Sequence, residues 1–316
     1  MIMSLINGGV ATLNAAGFLL MAAGPTLLTY IVISTIFSLG SWTYSWILPA
    51  AVSYRQALMP QLRLLQLLTV MAAATVMLVT HPGLMSALFV AMMVIEALVF
   101  TPHILLFRSE TGIFLRMELV RGIANSIALV VVLLFLDRDP LHYVELLLIN
   151  LLVSAVCLAA AGVHRPPSLR IATLADAYRH FRTQLLTRQL ATLLTAKGLE
   201  SGTMIALSHF QLLAPTLSLK IGLAISSALA ANARQRSLPI LWLVHLSIYG
   251  SGTAAILLLG RVEWPYFALP ETLRLITLAN AIYVLPIVLA IFTLSVLGLR
   301  LSDDGGGSKA EPGAEP

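Results

Sequence analysis

Long apolar runs, broken by short polar clusters, dominate the chain. A helix needs roughly 20 apolar residues to cross a bilayer, and cutting the runs wherever charges, Pro or Gly interrupt them predicts ten spans. They fall at about 5–23, 27–50, 62–80, 84–106, 120–136, 142–163, 186–207, 212–233, 238–260 and 274–299. The turns "AAGPT", "THPG" and "DRDP" part the first three pairs. This pattern predicts an all-α integral membrane protein of about ten transmembrane helices, with a six-helix bundle over 1–163 and a four-helix bundle over 186–301. Between them, residues 164–185 read as a basic cytoplasmic connector. From Leu169 it has the spacing of an amphipathic helix, with Leu174, Ala177, Tyr178, Phe181 and Leu185 recurring at three and four. Residues 302–316, "SDDGGGSKAEPGAEP", have too little apolar surface to offset the entropy of ordering and predict a disordered tail. No basic segment precedes the first apolar run, which therefore reads as a span and not as a cleaved signal.

Composition strengthens this picture. The chain of 316 residues is 59% hydrophobic and 10% charged, with a mean hydropathy of +0.92, whereas a soluble domain carries roughly 25% charged residues. Its formal charge of +5 would suit nucleic acid, but the distribution of that charge argues for topology. With the N-terminus inside, 14 of the 19 basic residues fall in cytoplasmic segments, and only Arg138, Arg261 and Arg274 fall on the other side. Lys197 and Lys220 lie within spans. That asymmetry follows the positive-inside rule and predicts both termini on the cytoplasmic side. The lone Cys157 offers neither a disulfide nor a cysteine metal site.

Two stretches 190 positions apart nearly coincide: "GPTLLTYI" before span two and "APTLSLKI" before span eight. Pro25, Thr26, Leu27, Ile31 and Leu39 match Pro215, Thr216, Leu217, Ile221 and Leu229. The copies are six spans apart, so both cross in the same direction, as in the parallel internal repeats of transporters. Together with the basic connector, this organisation resembles the multidrug, oligosaccharidyl-lipid and polysaccharide exporter superfamily. Within it the closest resemblance is to flippases of the O-antigen and exopolysaccharide type. The stretches that carry the resemblance are "GPTLLTYIVISTIFSLGSWTYSWILPAAVSYR", "FLRMELVRGIANSIALVVVLLF" and "LSLKIGLAISSALAANARQRSLPIL". Members of that family usually have twelve or more spans, so this chain would be a shortened form.

Charges inside spans cost roughly 2.5–3.5 kcal/mol at a helix centre, so each needs a reason. Lys220 and Lys197 are candidates to line a cavity that receives an anionic head group, with Glu96 or Glu200 as counter-charge or ion-coupling site. Lys197 and Glu200, three apart, could instead neutralise each other on one helix face, and Lys220 could snorkel outward. Arg116 and Arg121, in "FLRMELVRG", would suit bidentate phosphate binding at the cytoplasmic mouth of span five. More often, arginines so placed simply anchor a helix end at the lipid head groups. No GxSxG, HExxH or Walker A motif is present, so no catalytic, metal or cofactor site is expected. His245 is the one residue that a membrane transferase could use.

The resemblance implies transport of a lipid-linked oligosaccharide or polysaccharide precursor across the inner membrane by alternating access, with no enzymatic step. The partners would be the lipid-linked saccharide, membrane lipids, and polysaccharide assembly proteins or a second copy of the chain. Two other readings stay open: a non-transporting subunit of a polysaccharide assembly complex, and a membrane-embedded acyl- or glycosyl-transferase.

Overall fold

A computed structural model describes residues 10, 21, 25–51, 59–97, 111–160, 171–176, 178–179, 188–210, 212–230, 237–259 and 280–304, with side chains for a subset of these. The described residues are all-helical, without a strand. Five helices come first: α1 (Pro25–Ala51), α2 (Met59–Thr80), α3 (Leu84–Ile95), α4 (Thr111–Phe135) and α5 (Pro140–Ala160). Four follow: α6 (Arg188–His209), α7 (Leu213–Ala230), α8 (Leu238–Leu259) and α9 (Leu285–Asp304), the last preceded by a π-helical turn over Asn280–Val284.

The helix ends follow local chemistry. Gly83 precedes α3 with φ 156°, a conformation that a side chain would strain. Between α4 and α5 the chain reverses through Asp137 and Arg138, at φ 50° and 60°. Asp139 then accepts the Leu141 N–H at 2.9 Å on Oδ1, capping α5 just before Pro140. Inside the helices, most hydroxyls fold back on the preceding turn. Thr35 donates to the Ile31 carbonyl at 2.7 Å, Ser126 to Gly122 at 3.0 Å, Thr195 to Ala191 at 2.8 Å and Ser295 to Ile291 at 2.8 Å. This back-bonding is how an apolar helix tolerates Ser and Thr.

Packing divides the helices into two groups. In the first, α1 packs on α2, α3 and α5, and α5 also packs on α3 and α4. In the second, α9 packs along α6 and against α7, and α7 also contacts α6 and α8. The groups meet where α1 crosses α6. At Gly40 of α1 an added Cβ would lie 3.1 Å from Met93 Sδ and 3.2 Å from Ala73 Cβ, so glycine lets α1 approach α2 and α3 closely. Gly222 of α7 is tighter still, with Val288 Cγ2 at 2.6 Å from such a Cβ. The larger apolar core runs through both groups, from Ile31, Met77 and Val132 to Met204, Leu217 and Val288. One polar bond crosses the α4–α5 pair: Asn150 Nδ2 donates to Asn125 Oδ1 at 2.8 Å.

Nine of the ten expected runs coincide with helices, and several boundaries move. The first run, 5–23, lies outside the described residues apart from Val10 and Met21. Of span four, α3 covers Leu84–Ile95 and Glu96 follows in a π-type turn with Ala97, while residues 98–106 lie outside the described residues. Helix α4 starts at Thr111 rather than about 120, so Arg116 and Arg121 lie within the helix. Residues 302–304, expected to be disordered, continue α9, because nothing in "RLSD" breaks a helix. In the connector the helix begins at Leu174, not Leu169. Thr173 caps it by accepting the Asp176 N–H at 3.2 Å, while its hydroxyl donates to Asp176 Oδ2 at 2.6 Å. Among the residues described in full, no helix is long and apolar enough to cross a membrane. The elements themselves run longer, to 27 residues in α1, about 40 Å at 1.5 Å per residue.

The two repeated stretches take similar places. Leu27 and Leu217 are both 1% exposed, and Ile31 and Ile221 are both buried. The match fades at the far end, where Leu39 is 41% exposed and Leu229 is buried.

Candidate functional site at the seam between the helix groups

Intramembrane charge would be tolerable only where it is neutralised or solvated, and the charged residues expected to carry function fall in three places among the described helices, apart from the His142–Glu145 pair on α5. The first joins α3 to α4. Arg121 Nη2 donates to Glu96 Oε1 at 3.1 Å, with the side chains 27% and 15% exposed. The expected phosphate-binding arginine and the expected ion-coupling carboxylate are therefore partners. The Arg116 side chain lies outside the described residues.

The second place is the crossing of α6 and α1. Lys197 Nζ donates to Glu200 Oε1 at 2.5 Å and to Ser38 Oγ of α1 at 3.0 Å. Lys197 is buried, and one face of α6 holds it together with Ser201, Met204 and Ser208 at steps of four, three and four. The pairing of Lys197 with Glu200 takes the alternative that their spacing left open, and Ser38 adds a link between the two groups.

Lys220 of α7 occupies the third. Its Nζ is screened from solvent and lies over the Tyr30 ring of α1, 4.7 Å from the centroid. The residue as a whole keeps some exposure along its stem, so the buried ammonium, not the stem, describes its environment. Snorkelling is thus not what Lys220 does. A cation over a tyrosine face gains about 0.5–2 kcal/mol, more when desolvated. Tyr30 in turn sits in an aromatic cluster, 5.9 Å from Phe89 and edge-on to Tyr143 at 6.3 Å between centroids. All three rings are buried. Tyr30 and Lys220 are themselves separated by 190 positions, the offset of the sequence repeat, so equivalent positions of the two copies touch across the seam.

His245 lies elsewhere, in the smaller core of α7, α8 and α9. It is fully buried, against Phe292 at 5.0 Å and Tyr249 at 6.1 Å between ring centroids. Ser226 Oγ lies 2.9 Å from the Gly222 carbonyl and 3.0 Å from His245 Nε2, within hydrogen-bond reach of both. Among the described residues, no group of three or more His, Cys, Asp or Glu side chains could hold a metal ion.

Compared with known proteins, the chain matches no family profile, no curated protein and no solved structure.

Proposed function

We propose that the chain is an integral inner-membrane protein that carries an anionic, saccharide-bearing lipid between leaflets through the seam of its two helix groups. The membrane location is supported by an inverted surface. On α4 the outward positions Val120, Ile123, Ile127, Val130 and Leu134 are 44–66% exposed, and on α5 Ile149, Leu152, Val153 and Val156 are likewise exposed. Lys197, Ser201, Ser218, Ser226 and His245 are buried. Soluble proteins rarely display apolar patches of this continuity.

The single observation behind the transport reading is the buried polar seam, where Lys220 meets Tyr30 and Lys197 bridges to Ser38. A desolvated ammonium among aromatic rings suits a phosphate or pyrophosphate head group, and the saccharide part of the cargo follows from the family resemblance. A non-transporting role in a polysaccharide assembly complex is the second reading. It is favoured by the mutual neutralisation of Arg121 with Glu96 and of Lys197 with Glu200.

The two readings separate in cells that lack the protein, probed with a sugar-specific reagent that cannot cross the membrane. Transport predicts lipid-linked saccharide held on the cytoplasmic side, rescued by wild type. Lys220→Ala should lower export by at least about tenfold, the scale of one charge-assisted hydrogen bond, with the protein still present in the membrane. A normal leaflet distribution with polymer still lost would sink transport and leave the assembly role.

A further inference from the structure

Two hydroxyls on α6 are buried without the back-bond to the preceding turn that most buried helix hydroxyls make. Ser201 and Ser208 are 4% and 5% exposed, and among the described residues neither Oγ has a hydrogen-bond partner. Thr195, six residues before Ser201 on the same helix, does bond its preceding carbonyl, so the helix geometry does not forbid the bond. Leaving a buried hydroxyl unmade costs free energy comparable to a lost hydrogen bond, and such groups call for a specific explanation.

Their positions supply one. Ser201 and Ser208 are seven residues apart and share the face of α6 that carries Lys197, whose ammonium reaches Ser38 across the seam. Met204, between them on that face, packs in the apolar core shared by both groups. The unmade hydroxyls therefore line the surface along which α6 would part from its neighbours if the two groups moved apart.

Resting on the transport reading, we infer that this face of α6 is a polar track that becomes accessible to water in a second conformation. There Ser201 and Ser208 take hydrogen bonds from the hydroxyls of a sugar head group. The Lys197–Glu200 pair at one end continues the track, and its Ser38 bond holds the seam shut in the conformation described. A polyhydroxylated ligand matches the site because its hydroxyls both donate and accept, as serine does.

Cysteine accessibility tests this on the full-length protein in native membrane vesicles. In a background with Cys157→Ser, the variants Ser201→Cys and Ser208→Cys are exposed to a membrane-impermeant maleimide, with Val132→Cys, 0% exposed in the apolar core, as the dry control. Both serine positions should label at least about tenfold faster than the control, as expected of a face that opens locally. Adding Ser38→Ala should speed them further. A polyprenyl pyrophosphate carrying a disaccharide should protect both sites, and the same lipid without sugar should not.

Labelling no faster than the control overturns the track outright. Labelling that the disaccharide lipid does not slow more than the sugar-free lipid overturns the saccharide assignment. Either result is distinct from failure of the transport reading, which is decided by the leaflet distribution in cells. Ser201→Thr should keep export while Ser201→Ala loses it, and equal export by the two would also overturn the proposal.

Discussion

At the scale of single residues, the Glu96–Arg121 ion pair predicts how its members tolerate replacement. Glu96→Gln leaves the partly buried Arg121 guanidinium without its carboxylate. The expected loss of stability is about 1–3 kcal/mol, between the limits for surface and buried pairs. Replacing both, with Glu96→Gln and Arg121→Met, should recover much of it. Thermal unfolding in detergent, arranged as a double-mutant cycle, reads the coupling, and additive losses would mean that the pair contributes nothing. Sequence spacing makes Lys197 and Glu200 readable as neighbours, because residues three apart share a helix face. The Glu96–Arg121 contact has no such local signal: 25 positions separate the two, and only the packing of α3 near α4 brings them together. Tyr30 and Lys220 fall at matching positions of the repeat, which the sequence displays, but their contact depends on how the two groups pack.

At the scale of elements, close approaches set the sensitivity of each helix. Gly222→Ala would put a methyl group within 2.6 Å of a Val288 side chain that is 0% exposed. Overpacking of that kind costs about 1–3 kcal/mol. Val288→Ala in the same chain should relieve it, and a shift in melting temperature that returns toward wild type in the double variant checks the pair. Asp139→Ala removes the N-cap of α5 and should cost about 1 kcal/mol, while Asp139→Ser or Asn costs little. Hydrophobic runs delimit most helices well because the runs end at Pro, Gly or clustered charge. They fail at α4, where Arg116, Glu118 and Arg121 look like an interruption. Those residues are competent helix formers, and the helix continues through them. The same reason carries α9 past Ser302.

For the whole molecule, the outward apolar faces make the membrane proposal directly measurable. Spin labels at Ile127, Val156 and Leu243, which are 59–67% exposed, should collide with dissolved oxygen more than with a polar nickel complex. A label at Thr173, in the connector, should show the reverse. Preference for the nickel complex at all four sites would exclude lipid contact. The helical class was legible in the sequence because apolar content and run length constrain secondary structure strongly. The seam was not, since it depends on which faces of α1, α6 and α7 meet.

The amide pair between Asn125 and Asn150 bears on how such a chain is built. In a bilayer, an asparagine on a lone helix has no water to satisfy it. As α4 emerges first, its amide would stay exposed to lipid until α5, joined by only the short turn at Asp137–Asp139, brings the complementary group. Biogenesis would then favour delivering this hairpin to the membrane as one unit, so that replacing either asparagine changes the order of insertion more than the stability of the finished protein.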